Sequence, residues 1–201
     1  RVDVLKTEDG NYVRIIDYKS SVKDIDIDEV MAGLQIQLLT YMDAVTKIED
    51  FMPAGALYFS LIEPTITGID RNNTSEDIEK LIKKKFRMNG IVLSDINIVS
   101  KMDTKLEKGS SNIIPVYIDS KNNISKSRSS CVSEKQFKEL QASTIKEIRK
   151  ISKEIFDGNI DIKPFYKDKR TGCDYCKYKS ICQFNASKNK YNYIRHFNFE
   201  D

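Results

Sequence analysis

The chain has 201 residues, of which 40% are hydrophobic and 31% charged, a composition that suits a globular protein with one substantial core. Its formal net charge of +3 excludes a polycation, although Lys83, Lys84, Lys85 and Arg87, then Lys121, Lys126 and Arg128, then Lys163, Lys167, Lys169, Arg170, Lys177 and Lys179 form clusters that either meet phosphates or are solvated faces. No run of about 18 apolar residues reads as a membrane span, no signal-peptide pattern appears, and four cysteines, three of them close together, fit a metal site in a reducing, cytoplasmic compartment better than a disulfide framework.

Arg1 to Leu5 reads as a strand, Glu8-Asp9-Gly10-Asn11 as a hairpin turn and Tyr12 to Tyr18 as the returning strand. A helix capped by Asp28 is expected through Lys47, with Met31, Leu34, Leu38, Tyr41, Met42 and Val45 at its apolar positions. Ala54 to Ile62 reads as a buried strand ended by Pro64. Thr74-Ser75-Glu76-Asp77 opens a helix to about Phe86, and Gly90 closes that stretch. Ile91 to Met102 fits neither period. Asn112 to Asp119 reads as a strand, Lys121-Asn122-Asn123 as a turn, and Ser125 to Ser130 as an exposed polar loop. Ser133 caps a long helix to about Phe156, ended by Gly158. From Ile160 the pattern is irregular, and a metal centre would explain how so polar a tail is ordered. There is no internal repeat and no G-x-x-x-x-G-K-[ST] phosphate loop.

Two short signatures carry chemistry. In Ile15-Ile16-Asp17-Tyr18-Lys19 the alternation of a strand puts Asp17 and Lys19 on one face. A carboxylate supplies hard oxygen ligation for Mg²⁺, and a lysine two residues on can orient water and offset phosphate charge. Alternating charge on an exposed strand is the bland reading, but the apolar pair before Asp17 places it at the end of a buried strand. Gln37 and Tyr41 stand four apart on one helix face, where amide and phenol can hold a nucleic-acid backbone or Lys19, or simply pack against a sheet. The second signature is Cys173-x2-Cys176-x5-Cys182, a thiolate spacing that serves zinc or an iron–sulfur cluster. Cys131 reads as a small half-buried residue and His196 as a surface residue.

The run Gly33-Leu34-Gln35-Ile36-Gln37-Leu38-Leu39-Thr40-Tyr41, taken with Asp17-Tyr18-Lys19, resembles the Q-x-x-x-Y and D-x-K motifs of RecB-type nucleases of the PD-(D/E)xK superfamily. Pro53 to Phe59, Arg87 to Asp95 and Cys173 to Phe184 are similar to the C-terminal nuclease domains of the AddB family. This resemblance implies an α/β (α+β) fold: a restriction-endonuclease-like core over residues 1–160, with a mixed central sheet flanked by helices, and a cysteine-stapled iron–sulfur segment over 161–201 packed on it. It implies a Mg²⁺-dependent DNA exonuclease of a helicase–nuclease complex, acting on single strands with 5′→3′ polarity in double-strand-break processing for homologous recombination. Asp17, Lys19, Gln37 and Tyr41 would be catalytic, with Asp17 and the Tyr18 carbonyl as Mg²⁺ ligands. Cys173, Cys176 and Cys182 would bind a 4Fe-4S cluster whose fourth cysteine lies outside this chain. DNA and an AddA helicase–nuclease subunit would be the partners, at the nucleoid and not at a membrane.

The family pattern G-R-I-D-R-V-D sets a metal-binding Asp just before Arg1, so these 201 residues alone are expected to be weak or inactive. With the turn centred on Asp9-Gly10, Val2 would oppose Asp17, Asp3 would oppose Ile16 and point to the other face, and the position before Arg1 would oppose Lys19. The alternatives are a noncatalytic DNA-binding or scaffolding domain stabilised by a metal centre, and a zinc-binding interaction module.

Overall fold

The computed structural model describes residues 1–63, 65–67, 70 and 74–199. The expected strand end at Pro64 lies outside them. In chain order the elements are β1 (Val2–Thr7), β2 (Gly10–Lys19), α1 (Ile27–Met31), α2 (Gln37–Glu49), β3 (Met52–Ser60), α3 (Ser75–Lys85), β4 (Asn89–Leu93), α4 (Ile96–Met102), β5 (Gly109–Ser110), β6 (Tyr117–Ile118), β7 (Cys131–Val132), α5 (Glu134–Phe156), β8 (Phe165–Lys167), β9 (Arg170–Thr171), α6 (Lys179–Cys182) and β10 (Asn192–Tyr193). They fall into two units, one of Arg1–Ile25 with Ile36–Ala142, the other of Asp26–Gln35 with the chain from Ser143 onward. No helix among the described residues is long and apolar enough to cross a membrane.

The first unit is built on a mixed sheet in the order β1-β2-β3-β4-β7. β2 runs antiparallel to β1 and parallel to β3, β4 antiparallel to β3, and β7 parallel to β4. As the central strand, β3 is covered on both faces, and its Pro53–Tyr58 run is buried throughout. α2 packs on β2 and β3 through Leu38, Leu39 and Met42. Ile16 and Leu57 belong to a cluster with Met88, Val92, Val99, Ile114 and Val116.

Several expectations are corrected by tertiary geometry. The β1–β2 hairpin pairs Thr7 with Gly10 and Asp3 with Arg14, so the turn is Glu8-Asp9 and the register lies two residues from the expected one. A shift of two keeps every side chain on its face, and Asp3 still points away from Asp17. Arg1 exchanges both backbone hydrogen bonds with Ile16, at 2.8 and 2.9 Å. The next position outward would therefore oppose Asp17, not Lys19.

The helix expected from Asp28 to Lys47 is two helices. Gly33, at φ 79°, closes α1 in the left-handed region, with its amide bonded to Val30 O and that of Leu34 to Glu29 O. Asp26, not Asp28, caps α1 by accepting from the Glu29 amide. Leu34 and Tyr41, expected on the apolar face, are exposed.

Gly90 is not a terminator but sits inside β4 at φ 129°, where a Cβ would meet Ala56 O at 2.2 Å. The unassigned stretch after it becomes the end of β4 and then α4, capped by Asp95. Of Asn112–Asp119 only Tyr117–Ile118 is strand. The segment before it is held instead by the Ser111 hydroxyl, which accepts from the amides of Ile113 and Ile114 and donates to Asp103. The helix opening at Thr74 and the cap at Ser133 form as the sequence predicts, and the structure adds their reciprocal partners, Asp77 and Gln136.

The second unit holds α1, the later part of α5, α6 and a small sheet in the order β10-β8-β9, where the sequence suggested only irregular chain. Among the described residues its buried ones are Val30, Glu29 and Thr144. Ion pairs take the place of a large apolar core. Lys167 lies 2.5 Å from Asp26 and 3.0 Å from Asp28, and Arg170 lies 2.6 Å from Glu29. Tyr166, Tyr191, Tyr193 and Phe184 form an aromatic cluster beside them.

Candidate active site

Three neighbouring elements meet at the C-terminal end of β2. The strand projects Asp17 and Lys19 from one face, β3 supplies Tyr58 as the register partner of Asp17, and the first turn of α2 brings Gln37 and, one turn on, Tyr41. Lys19 Nζ lies 2.8 Å from Asp17 Oδ2 and donates to Gln37 Oε1 at 2.7 Å. Gln37 Nε2 in turn donates to the Tyr41 hydroxyl at 3.0 Å. The Lys19 ammonium also stands 5.6 Å from the centroid of the Tyr58 ring. The four polar residues singled out in the sequence thus form one continuous chain, and Tyr58, whose apolar surroundings gave no sign of a role, forms its floor.

The electrostatics follow from this contact. Asp17 raises the Lys19 pKa above its ordinary value against the opposing effect of burial, with Tyr58 and Tyr41 adding to it. Tyr58 is itself raised, mainly by burial, with the lysine charge opposing. Asp17 Oδ2 is buried, with the Lys19 ammonium 2.8 Å away. This ion pair engages one of the carboxylate's lone-pair sites and leaves others open. A buried anionic oxygen in that state is a suitable donor for a hard cation.

Backbone alternation adds a second oxygen. Lys19 O accepts from Leu61 on the β3 side, while Ile16 exchanges hydrogen bonds with Arg1 on the β1 side. Tyr18, in phase with Ile16, directs its carbonyl to the β1 side. Among the described residues no three His, Cys, Asp or Glu side chains form a set that could hold a metal ion. Asp17 is thus a single carboxylate, and a cation there would draw further ligands from water, substrate or residues elsewhere.

The cysteine segment lies in the second unit. Cys173, Cys176 and Cys182 are half-buried thiols within one turn-rich stretch. The Cys176 amide donates to Cys173 O at 3.2 Å, the Tyr178 amide to Cys176 Sγ at 3.4 Å, and the Cys173 amide to Thr171 Oγ1 at 3.0 Å. Cys131 stands apart in β7, where burial pushes its thiol up to about 11. His196 is exposed, with Nδ1 at 3.2 Å from Asp28. The clamp of Lys167 and Arg170 on α1 escaped the sequence reading. Its signal was the acidic run Asp24, Asp26, Asp28 and Glu29 set against the basic Lys167, Lys169 and Arg170.

A family model described as the PD-(D/E)XK nuclease superfamily matches residues 1–183, a span that includes both signatures. The chain is 42% identical over 193 residues to the B subunit of the ATP-dependent helicase/deoxyribonuclease of Acetivibrio thermocellus, covering 93% of this chain and 17% of that relative. It is 42% identical over 202 residues to the protein of that name from Clostridium kluyveri, covering 96% and 17%. It is 43% identical over 195 residues to that from Bacillus mycoides, covering 93% and 16%. The chain spans about one-sixth of the length of these relatives.

Proposed function

Because this chain belongs to the PD-(D/E)XK nuclease superfamily, we propose that it is the nuclease domain of an AddB-type helicase/deoxyribonuclease and that it hydrolyses DNA phosphodiester bonds at Asp17 and Lys19. The observation that carries the reading is the unbroken contact chain Asp17–Lys19–Gln37–Tyr41 at the end of β2. Mg²⁺ held by Asp17 and the Tyr18 carbonyl would supply Lewis-acid polarisation of the phosphate and make a bound water more acidic than bulk water. Lys19, kept protonated by Asp17, serves to offset charge on a non-bridging phosphate oxygen. Gln37 fixes the direction of that ammonium, and Tyr41 fixes the amide of Gln37.

In this reading residues 1–160 form the nuclease core and 161–201 carry three ligands of a 4Fe-4S cluster, Cys173, Cys176 and Cys182, with the fourth cysteine supplied from outside the chain. The substrate is single-stranded DNA cut with 5′→3′ polarity during double-strand-break processing for recombination. The partner is an AddA-type helicase–nuclease subunit, and the site of action is the nucleoid. In the full protein, Asp17→Ala and Lys19→Ala should each lower cleavage by about 10²-fold or more while DNA binding persists. Undiminished cleavage by either variant would overturn the assignment.

A further inference from the structure

The face of the sheet opposite Asp17 and Lys19 carries a second set of residues that the proposed chemistry does not use. Tyr18 follows Asp17 directly and points the other way. Its ring meets that of Phe59, its register partner on β3, edge-on at 5.7 Å. Phe59 stacks on Phe86 at 6.2 Å with the planes 9° apart. Phe59 and Phe86 then line a groove of about 690 Å³ together with Lys80, Lys83, Lys105 and Lys108.

All four lysines are exposed, and Phe86 and Tyr18 remain 38% and 44% exposed. Lys83 pairs with Glu79, both in solvent, where such a pair is weak. Asp103, the one carboxylate among the described lining residues, is buried and turned inward. It accepts from the Ser111 hydroxyl at 2.6 Å and the Lys105 amide at 3.1 Å. The groove therefore combines a strong positive field with an aromatic floor.

That pairing selects the occupant. A duplex offers phosphates but hides its base faces, and an acidic peptide offers charge without flat apolar faces. A single strand offers both, phosphates to lysine and bases to aromatic rings. We propose that the Lys80–Lys83–Lys105–Lys108 groove with the Phe86–Phe59–Tyr18 ladder is a binding track for single-stranded nucleic acid, leading to the strand end that bears Asp17 and Lys19. Its direction toward cleavage rests on the nuclease reading; its binding does not.

The test is fluorescence anisotropy of a labelled oligothymidylate with the full protein in EDTA, so that no strand is cut, across a salt series. Lys105→Ala/Lys108→Ala should reduce the slope of log affinity against log salt by about 1.4, two phosphate contacts at roughly 0.7 each. Phe86→Leu, which keeps apolar contact with Phe59 but removes the stacking face, should weaken binding by about 5- to 100-fold. Lys121→Ala/Lys126→Ala should change neither. Should Phe86→Leu fail to fold, the lysine pair, exposed in solvent, still decides. An unchanged slope in the lysine variant overturns the proposal, as does an equal loss of affinity for duplex in both variants. If Asp17→Ala cuts normally while these variants lose single-strand binding, the catalytic assignment falls and the track stands. If Asp17→Ala is inactive and these variants bind normally, the track falls and the assignment stands.

Discussion

Lys19 is the residue on which the candidate centre turns, because it touches both Asp17 and Gln37. Its pKa is raised above 10.5 chiefly by Asp17. A raised folded-state pKa contributes stability that is complete below the unfolded value and fades as pH climbs through the folded one, so this contact is intact at neutral pH and lost in strong alkali. Asp17→Asn should lower the Lys19 pKa, read by NMR of isotopically methylated lysines in metal-free protein. An unmoved Lys19 resonance would show that the ion pair does not set its charge. The cysteines give a second residue-scale contrast. Cys131, with its thiol at about 11, is almost wholly un-ionised near pH 8 and should resist iodoacetamide in the native protein. Cys131→Ser should leave the iron and sulfide content of the full protein intact, whereas Cys176→Ser should remove it. Stoichiometric zinc without iron in anaerobically purified protein would exclude the cluster.

Two glycines shape the elements that carry the site. Gly33 breaks what the apolar spacing presents as one helix, and the break lets Gln37 begin α2. Gly33→Ala should cost about 1–2 kcal/mol for its left-handed backbone; the nearest atom to a new Cβ is the flexible Ile151 Cδ1 at 3.2 Å. Gly90 faces harder constraints, since its Cβ would meet backbone, Ala56 O at 2.2 Å and Leu57 Cα at 3.0 Å. Gly90→Ala should therefore destabilise by at least about 3 kcal/mol in urea unfolding, through loss of β3–β4 pairing. A cost below that of Gly33→Ala would mean the two strands separate freely. The hairpin register escaped the sequence because Asp9-Gly10 is a good turn dipeptide, yet Gly10 enters the ladder. Asn112–Asp119 reads as strand from its apolar residues, but only two of them find a partner strand.

Across the whole molecule the two units are held together internally by different forces. The first buries a continuous apolar core on both faces of its sheet. The second buries few side chains and relies on the carboxylates of α1. Burial opposes the charge on Asp28, but the Phe197 amide, Lys167 and His196 outweigh it and hold the carboxyl below its usual range. A depressed carboxylate contributes stability above its unfolded pKa and loses it as pH falls through the folded value. Below about pH 4 the amides of α1 and β8 should thus lose hydrogen-exchange protection before those of β2 and β3, after correction for intrinsic rates. Asp28→Asn should produce the same loss at neutral pH. Equal protection of both units in acid would show that the clamp is dispensable.

Residue type and spacing raised Asp17, Lys19, Gln37, Tyr41 and the three clustered cysteines as candidates, since strand alternation and the four-residue helix repeat are local geometry, but their roles came from the resemblance to RecB-type nucleases. Residue type and spacing also marked the helix start at Thr74, the cap at Ser133 and the buried strand from Ala54, though Leu61 and Ile62 lie exposed beyond its end. Only the tertiary structure decided that Lys19 bridges Asp17 and Gln37, that the helix breaks at Gly33, that Gly90 lies beneath β3, and that α1 is clamped by Lys167 and Arg170. Those outcomes depend on which distant segments come together, and a one-dimensional pattern carries no distance between residues far apart in the chain.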